Sequence, residues 1–340
     1  MVNRMDKINY IKINTKNMLE NIEYIKKNYH YSYYIMIVSN NAFNHGMYLI
    51  KYLYELVDYL YVNTFSDLQL IRKYNSDISV IYNGEITEDN VFDLIMNNAT
   101  VVVYDINTLK MIHSLNIKDP LNFIFYVDPT GYYGISSKQD ILDYLEWNNK
   151  YLNLVGIMAN LDEKNYNDFK YIIRPIQNVQ LMILNNEDDK RKIQGSNAIL
   201  LDSSIYGINQ AKKKLFQKAE KPFKQIFTLY SKVISIKEVN HNKKIKHIAV
   251  VPFGIYHGMN EAIKYVYIND KLYPVIKILN EFIYVEVDSF IKKDMQVEIT
   301  SMYNPIDTYL SSQTLNYFSM FSSSIPIVFD DYILEKASMY

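Results

Sequence analysis

Short apolar runs that alternate with helical patterns are the feature that most constrains this chain. Ile8–Ile13 alternates as a strand. Tyr33–Val38, Leu60–Asn63, Ile78–Tyr82, Thr100–Tyr104, Phe123–Val127, Leu154–Met158, Val179–Leu184 and Ala198–Leu201 then read as short buried strands. Helical spacing fills the gaps: Met18, Ile22 and Ile25 behind a Thr15 cap; Met47, Ile50, Leu53 and Leu56; a run from Ser66 through Ile71; Ile106–Leu115; and Lys138–Trp147. About eight strands alternating with helices over ~200 residues predict a parallel β/α barrel. An open doubly wound sheet has the same order of elements, and order alone does not separate the two.

The pattern changes near Lys221-Pro222. From Phe227 on, strands follow one another without helices: 227–239, 247–251, 264–268, 275–279, 283–287 and 296–300, with turn residues at Asn269-Asp270 and Asn280-Glu281. A helix is expected over Ser311–Ser322 and a strand over Ile325–Phe329. The expected organisation is an α/β N-terminal (β/α)8 TIM-type barrel over 8–220 and a C-terminal mostly-β domain over 221–340, with the first strand, 8–13, packing against the latter. A chain of 340 residues fits two such domains.

Composition removes several functions. With 36 Lys+Arg against 37 Asp+Glu, the net charge of −1 gives nucleic-acid binding no electrostatic support. The absence of Cys excludes disulfides, thiolate nucleophiles and Cys-ligated metals. Met1–Lys7 lacks the apolar segment of a signal peptide. The longest apolar stretch, Ile248–Tyr256, is interrupted by Pro252 and Gly254 and is too short to span a membrane. A cytoplasmic protein with no membrane partner is expected. Asn, Ile, Lys and Tyr abound, while Arg occurs only at positions 4, 72, 174 and 191. With 33 tyrosines, a single Tyr is weak evidence of chemistry, and a missing Lys or Tyr is informative.

Several segments resemble motifs of the alanine racemase family. Ile37-Val38-Ser39-Asn40-Asn41-Ala42-Phe43-Asn44-His45-Gly46 resembles its V-K-A-N-A-Y-G-H-G. In the same order, Ile11–Asn14 with Asn21 resembles the opening strand and helix, and Ile205-Tyr206-Gly207 the L-Y-G that closes the barrel. Ser231–Val239 resembles S-x-V-I-x-I-K-x-V, Ile248–Gly254 resembles I-A-V-V-P-I-G, and Ile268–Val275 resembles I-N-G-K-R-Y-P-V. The resemblance spans nearly the whole chain. It implies a barrel followed by a β domain, a homodimer, and pyridoxal-phosphate (PLP) chemistry that ionises an amino-acid Cα–H.

That chemistry needs a Schiff-base lysine, phosphate donors, a partner for the ring nitrogen and a base on each face of Cα. The resemblance places the lysine at Ser39, whose hydroxyl cannot form an imine, and no Lys lies between Lys27 and Lys51. The second base is a Tyr on a loop after the Ser231–Val239 strand. Here Glu238–Lys246 runs straight into His247 with no Tyr, leaving His241 as a remote substitute. The family's phosphate-site residues correspond to Phe43, Asn185-Asn186, Asp202 and Tyr317. A carboxylate at Asp202 repels a phosphate, and its Cβ blocks the close backbone approach that glycine allows. The ring-nitrogen Arg corresponds to Leu200 and the ring-stacking His to Asn160. The D-T-G-M-G-R arginine is missing from Asp128–Gly134, the Met-Asp pair corresponds to Leu279-Asn280, and the Tyr of G-Y-A-D-G to Ile255. His45 and Gly46 persist and are expected to close a turn.

The expectation is therefore an alanine-racemase-like pseudoenzyme with no catalytic residue intact and a binding, regulatory or structural role. It would form a homodimer, or a heterodimer with an active paralogue. The vestigial cofactor-site residues are Phe43, Tyr82, Asn160, Asn185, Asn186, Leu200, Asp202, Ser203 and Tyr317. No cofactor and no metal are expected, and the poorly spaced His241, His247 and His257 do not make a zinc site. Two alternatives stand beside this. One is an active PLP-dependent alanine racemase, which would need a Lys from elsewhere to reach the cofactor; Lys12 lies on a different strand, the opening one, with no geometric reason to move it there. The other is a small-molecule site at the barrel mouth lined by Asn41, Tyr82, Asp128, Tyr133, Asn160, Asn186 and Asp202.

Overall fold

A computed structural model describes residues 8–147, 150–186, 192–208, 222–241, 244–310 and 325–330. Its strands are β1 (Tyr10–Ile13), β2 (Tyr33–Ile37), β3 (Tyr59–Val62), β4 (Val80–Tyr82), β5 (Ala99–Val103), β6 (Leu121–Tyr126), β7 (Leu152–Met158), β8 (Leu181–Asn186), β9 (Ala198–Leu201), β10 (Phe227–Lys232), β11 (Ser235–His241), β12 (Lys244–Val251), β13 (Tyr265–Ile268), β14 (Lys271–Ile278), β15 (Ile283–Val287), β16 (Gln296–Thr300) and β17 (Ile327–Phe329). The chain divides into two compact units: one holds residues 28–42 and 47–202, the other residues 1–27, 43–46 and 203–340. The boundary expected at 220–221 lies outside the described residues.

The first unit is a closed parallel barrel of β2 to β9 in chain order. It closes where β2 lies beside β9, with Tyr33 opposite Ala198 and Met36 opposite Leu201. Ile35, Tyr61, Ile81, Val102, Ile124 and Ile183 fill the interior. Strands buried on both faces read as continuous apolar runs rather than alternating ones, and all of Ala99–Val103 is buried. Caps fix the intervening helices. Thr64 Oγ1 accepts from Asp67 N–H at 3.2 Å, Asp105 caps Ile106–Ser114, and Ser137 caps Lys138–Glu146. The helix expected from Met47 is shorter than its spacing suggests, a 3-10 turn at Met47–Leu49 and one helical turn at Ile50–Leu53.

The second unit is a nine-stranded sheet in the order β11-β12-β15-β14-β13-β16-β10-β1-β17. The first strand joins it: β1 pairs antiparallel with β10, and also parallel with β17. The strand expected over 227–239 breaks in two, because its backbone changes partners. Val233 N–H donates to the Met295 carbonyl and Ile234 N–H to the Val250 carbonyl, so β10 pairs with β16 while β11 pairs with β12. Asn269 and Asp270, at φ +47° and +62°, make the two-residue turn between β13 and β14.

The helix Thr15–Asn28 begins where expected, but its cap is Asn14, whose Oδ1 accepts from Asn17 N–H at 2.9 Å. Thr15 is committed elsewhere, with its N–H and its hydroxyl both donating to Asp330. The helix expected over 311–322 lies outside the described residues. Among the described residues, no helix is long and apolar enough to cross a membrane.

Asn21, buried on that first helix, binds three backbone groups of the second unit. Its Nδ2 donates to the Ile205 carbonyl at 3.2 Å and the Lys224 carbonyl at 2.8 Å, and its Oδ1 accepts from Lys224 N–H at 2.8 Å. Asn21→Ala removes all three bonds and leaves their partners buried. It should cost roughly 2–4 kcal/mol, read as a fall in the urea midpoint at unchanged slope.

Candidate functional site

Ligand sites of parallel barrels lie at the C-terminal ends of the strands. None of the eight barrel strands contains an Asp, Glu, Lys, Arg or His. Any charged group at the mouth must therefore come from the loops.

The first of these loops follows β2. Residues Asn40, Asn41, Ala42, Phe43 and Asn44 all have φ between +49° and +62°, a left-handed helical turn. Such a conformation costs a non-glycine residue roughly 1–2 kcal/mol, least for Asn, and three of the five are Asn. Asp67 holds the turn. Its buried carboxylate accepts Asn40 N–H at 3.0 Å, Asn41 N–H at 3.1 Å and Thr64 Oγ1–H at 2.9 Å. Asn41 Oδ1 accepts Met47 N–H at 2.7 Å. The sequence suggested an ordinary polar loop here.

Ser39 opens this turn. It is 2% exposed, and its Oγ has no hydrogen-bond partner among the described residues. By strand alternation it continues the interior face of Ile35 and Ile37.

Beyond Ser39 the mouth is built of tyrosines. Tyr104 stacks on Tyr126 at 4.9 Å and on Tyr133 at 4.4 Å between ring centroids, and its hydroxyl donates to Asn83 Oδ1. Tyr61 is a close neighbour of Tyr104. Burial, reinforced by the neighbouring phenols, pushes Tyr61 and Tyr104 well above the ordinary tyrosine value. These hydroxyls remain protonated at neutral pH. They donate hydrogen bonds and present rings, but they do not serve as bases. Of this cluster only Tyr133 was legible in the sequence, because in a tyrosine-rich chain Tyr61, Tyr104 and Tyr126 carry no distinguishing signal.

Asp128 shapes the neighbouring loop. Its carboxylate accepts Thr130 N–H at 2.9 Å, Thr130 Oγ1–H at 2.7 Å and Tyr133 N–H at 2.8 Å. Partial burial acts to raise its pKa, but these bonds outweigh it and hold the carboxyl below its ordinary value.

The other sequence candidates are dispersed. Tyr82 does not face the mouth: Ile81 takes the interior position, and the Tyr82 hydroxyl donates to the Glu85 carbonyl at 3.1 Å. Leu200 packs against the interior cluster. Asn160 is exposed just beyond β7, and Asp202 follows β9. Asn185 is buried, its Oδ1 accepting Ile193 N–H at 3.0 Å. Asn186 ends β8, with its side chain outside the described set, and Tyr317 lies outside the described residues.

In the second unit, Phe43 packs edge-on to Tyr206 at 5.4 Å, and Ser203 is buried. His45 is buried with its ring 4.5 Å from Tyr206 and 5.2 Å from Phe227. The β11–β12 hairpin pairs His241 with Lys244, leaving a two-residue connection where the resemblance implies a longer loop. His257 Nδ1 accepts Gly254 N–H at 3.2 Å, and no metal-binding cluster occurs among the described residues.

The model of the alanine racemase N-terminal domain matches residues 13–207, more than half of the chain. The chain belongs to the alanine racemase family. An alanine racemase of Borreliella burgdorferi (strain ZS7) is 23% identical over 344 residues, covering 90% of this chain and 91% of that protein. The fold is that of the alanine racemase of Clostridium difficile 630, with TM-score 0.81, 19% identity, and coverage of 96% of this chain and 97% of that one. The Oenococcus oeni alanine racemase gives TM-score 0.83 at 16% identity, covering 96% of this chain and 100% of that one.

Membership corrects one expectation. The family is PLP-dependent, so the expectation that no cofactor binds does not stand. The buried, unpartnered Ser39 hydroxyl fits PLP as a hydrogen-bonding contact, and it does not fit the family's covalent attachment at this position.

Two outcomes follow. Asp67→Ala should destabilise the protein by about 3 kcal/mol, and Asp67→Asn by less, measured by urea unfolding. The contribution of Asp128 is full above its ordinary value of 3.8 and is lost as pH falls through the lowered one. Amide exchange at Thr130 and Tyr133 should therefore accelerate only below that value, and Asp128→Asn should remove the pH dependence.

Proposed function

We propose that this member of the alanine racemase family does not racemise alanine and serves as a binding or regulatory protein, dimeric and cytoplasmic. The observation that carries the reading is Ser39. It stands at the position where the resemblance puts the Schiff-base lysine, and no barrel strand supplies a lysine in its place. Three further features support it. The connection after β11 has only two residues and no tyrosine. The position corresponding to the ring-nitrogen arginine is Leu200, an alkyl side chain. The phenols at the mouth are held in their protonated form by burial.

PLP, when bound, supplies an electron sink for a carbanion at Cα. On this reading Ser39 donates a hydrogen bond to it, the Tyr104 cluster offers ring faces, and neither carries a proton to or from Cα. The second reading, an active racemase, is favoured by the 23% identity that runs along 90% of the chain to alanine racemases.

Purified protein with added PLP, assayed for conversion of L- to D-alanine and then reduced with borohydride, separates the two readings. The expected result is no conversion that scales with protein, and no reduced adduct on a lysine by mass spectrometry. Conversion in proportion to protein, or a single modified lysine, would overturn the proposal. Ser39→Lys alone should restore an adduct without restoring turnover, because the second base is missing as well.

A further inference from the structure

The solvent face of the second unit's sheet carries a row of side chains that the racemase reading leaves unused. Backbone register sets Leu272 beside Tyr267, Tyr267 beside Glu298, Glu298 beside Tyr230, and Tyr230 beside Tyr10, across β14, β13, β16, β10 and β1. At ordinary strand spacing the row is roughly 19 Å wide. Tyr10 stacks on Tyr230 at 4.9 Å, and Tyr267 stacks on Tyr303 at 5.0 Å. Glu298 lies between the two stacks.

We propose that this face binds a small organic cation, an alkylguanidinium or alkylammonium, with its charge on the Glu298 carboxylate and its alkyl part against the tyrosine rings. The carrying observation is that Glu298 Oε2 is buried and has no hydrogen-bond partner among the described residues. A carboxylate oxygen withdrawn from water without a donor is costly, and a cationic donor relieves that cost directly.

Glu298 is among the residues lining a groove of about 260 Å³, with Tyr267, Asn269, Asp270, Met295 and Gln296. Asp270 and Glu298 supply its two carboxyl groups, and the side-chain amides of Asn269 and Gln296 can meet the remaining donors of a guanidinium. The rings are held in place. Gln296 Nε2 donates to the Tyr10 hydroxyl at 2.7 Å, and the Tyr267 hydroxyl donates to Asp270 Oδ1 at 3.2 Å. Burial first, with Glu298 adding to it, raises Tyr10 and Tyr230, so both rings stay neutral. Neutral electron-rich faces flanking a carboxylate are the arrangement that attracts organic cations. On this face Lys232 is 3.6 Å from Asp294, and Lys12, two residues along β1 from Tyr10, is exposed to solvent.

The site lies within the second unit and does not depend on the proposal about catalysis. Isothermal titration of the full chain with N-ethylguanidinium chloride and with ethylammonium chloride tests it, with sodium chloride and sodium propionate as controls. Saturable binding of either cation is expected, with a Kd on the order of millimolar, and no binding of propionate. Glu298→Gln should weaken it at least tenfold, and Tyr267→Ala several-fold, with circular dichroism and urea midpoints showing that each variant is folded. If Glu298→Gln does not fold, Tyr267→Ala alone decides. No saturable binding of either cation up to about 50 mM, or affinity unchanged in the folded variants, would overturn the proposal.

Discussion

Closure of the eight-stranded barrel is the constraint on which the first unit depends. Each strand pairs on both edges and is covered on both faces, so a charge placed on it would be buried without solvent. The strands satisfy this fully, with no ionisable side chain other than tyrosine on any of them. Polar chemistry is thereby displaced to the loops that leave the strands. The turn after β2 is one such loop, with Asp67 holding two of its amides.

That turn is held together without help from the residue at position 39. A left-handed run of five non-glycine residues is unfavourable by itself. Its compensation comes from backbone donors to Asp67 and from the Asn41 amide, not from the side chain at position 39. Position 39 can therefore change between lysine and serine without loosening the turn. The cost of the serine is local, a buried hydroxyl without a partner.

Alternating strands and helices, the second β domain and the edges of most strands were legible, because apolar runs and turn residues are local signals; the choice of a closed barrel over an open sheet rested on the family resemblance. Asn269-Asp270 is a clear case, since both residues tolerate the left-handed conformation the turn demands. The break at Val233-Ile234 was not legible. Nothing in Phe227–Val239 interrupts the strand pattern, and the break comes from a change of partners far away in sequence. Asn14 was passed over as a cap because Thr15 satisfies the same local rule, and only the approach of Asp330 shows which residue is free to cap. At the mouth, Tyr82 was misplaced by one step of alternation, and Tyr61, Tyr104 and Tyr126 were hidden by the abundance of tyrosine.

Surviving family motifs in this chain are explained by packing. The His45 ring lies against Tyr206 and Phe227. Gly46 sits at φ +95°, where a Cβ would come within 3.2 Å of Ile327. Gly207 sits at φ +77°, where a Cβ would run into the Lys224 backbone. Asn21 ties the first helix to residues 205 and 224. Each of these residues has a structural reason to persist in any chain that keeps this fold, active or not. Their retention is evidence of architecture and carries no weight on catalysis. The residues that would carry weight are those whose polar atoms the fold does not use, and Ser39 is one: a buried hydroxyl that makes no hydrogen bond within the fold is free to meet what binds there.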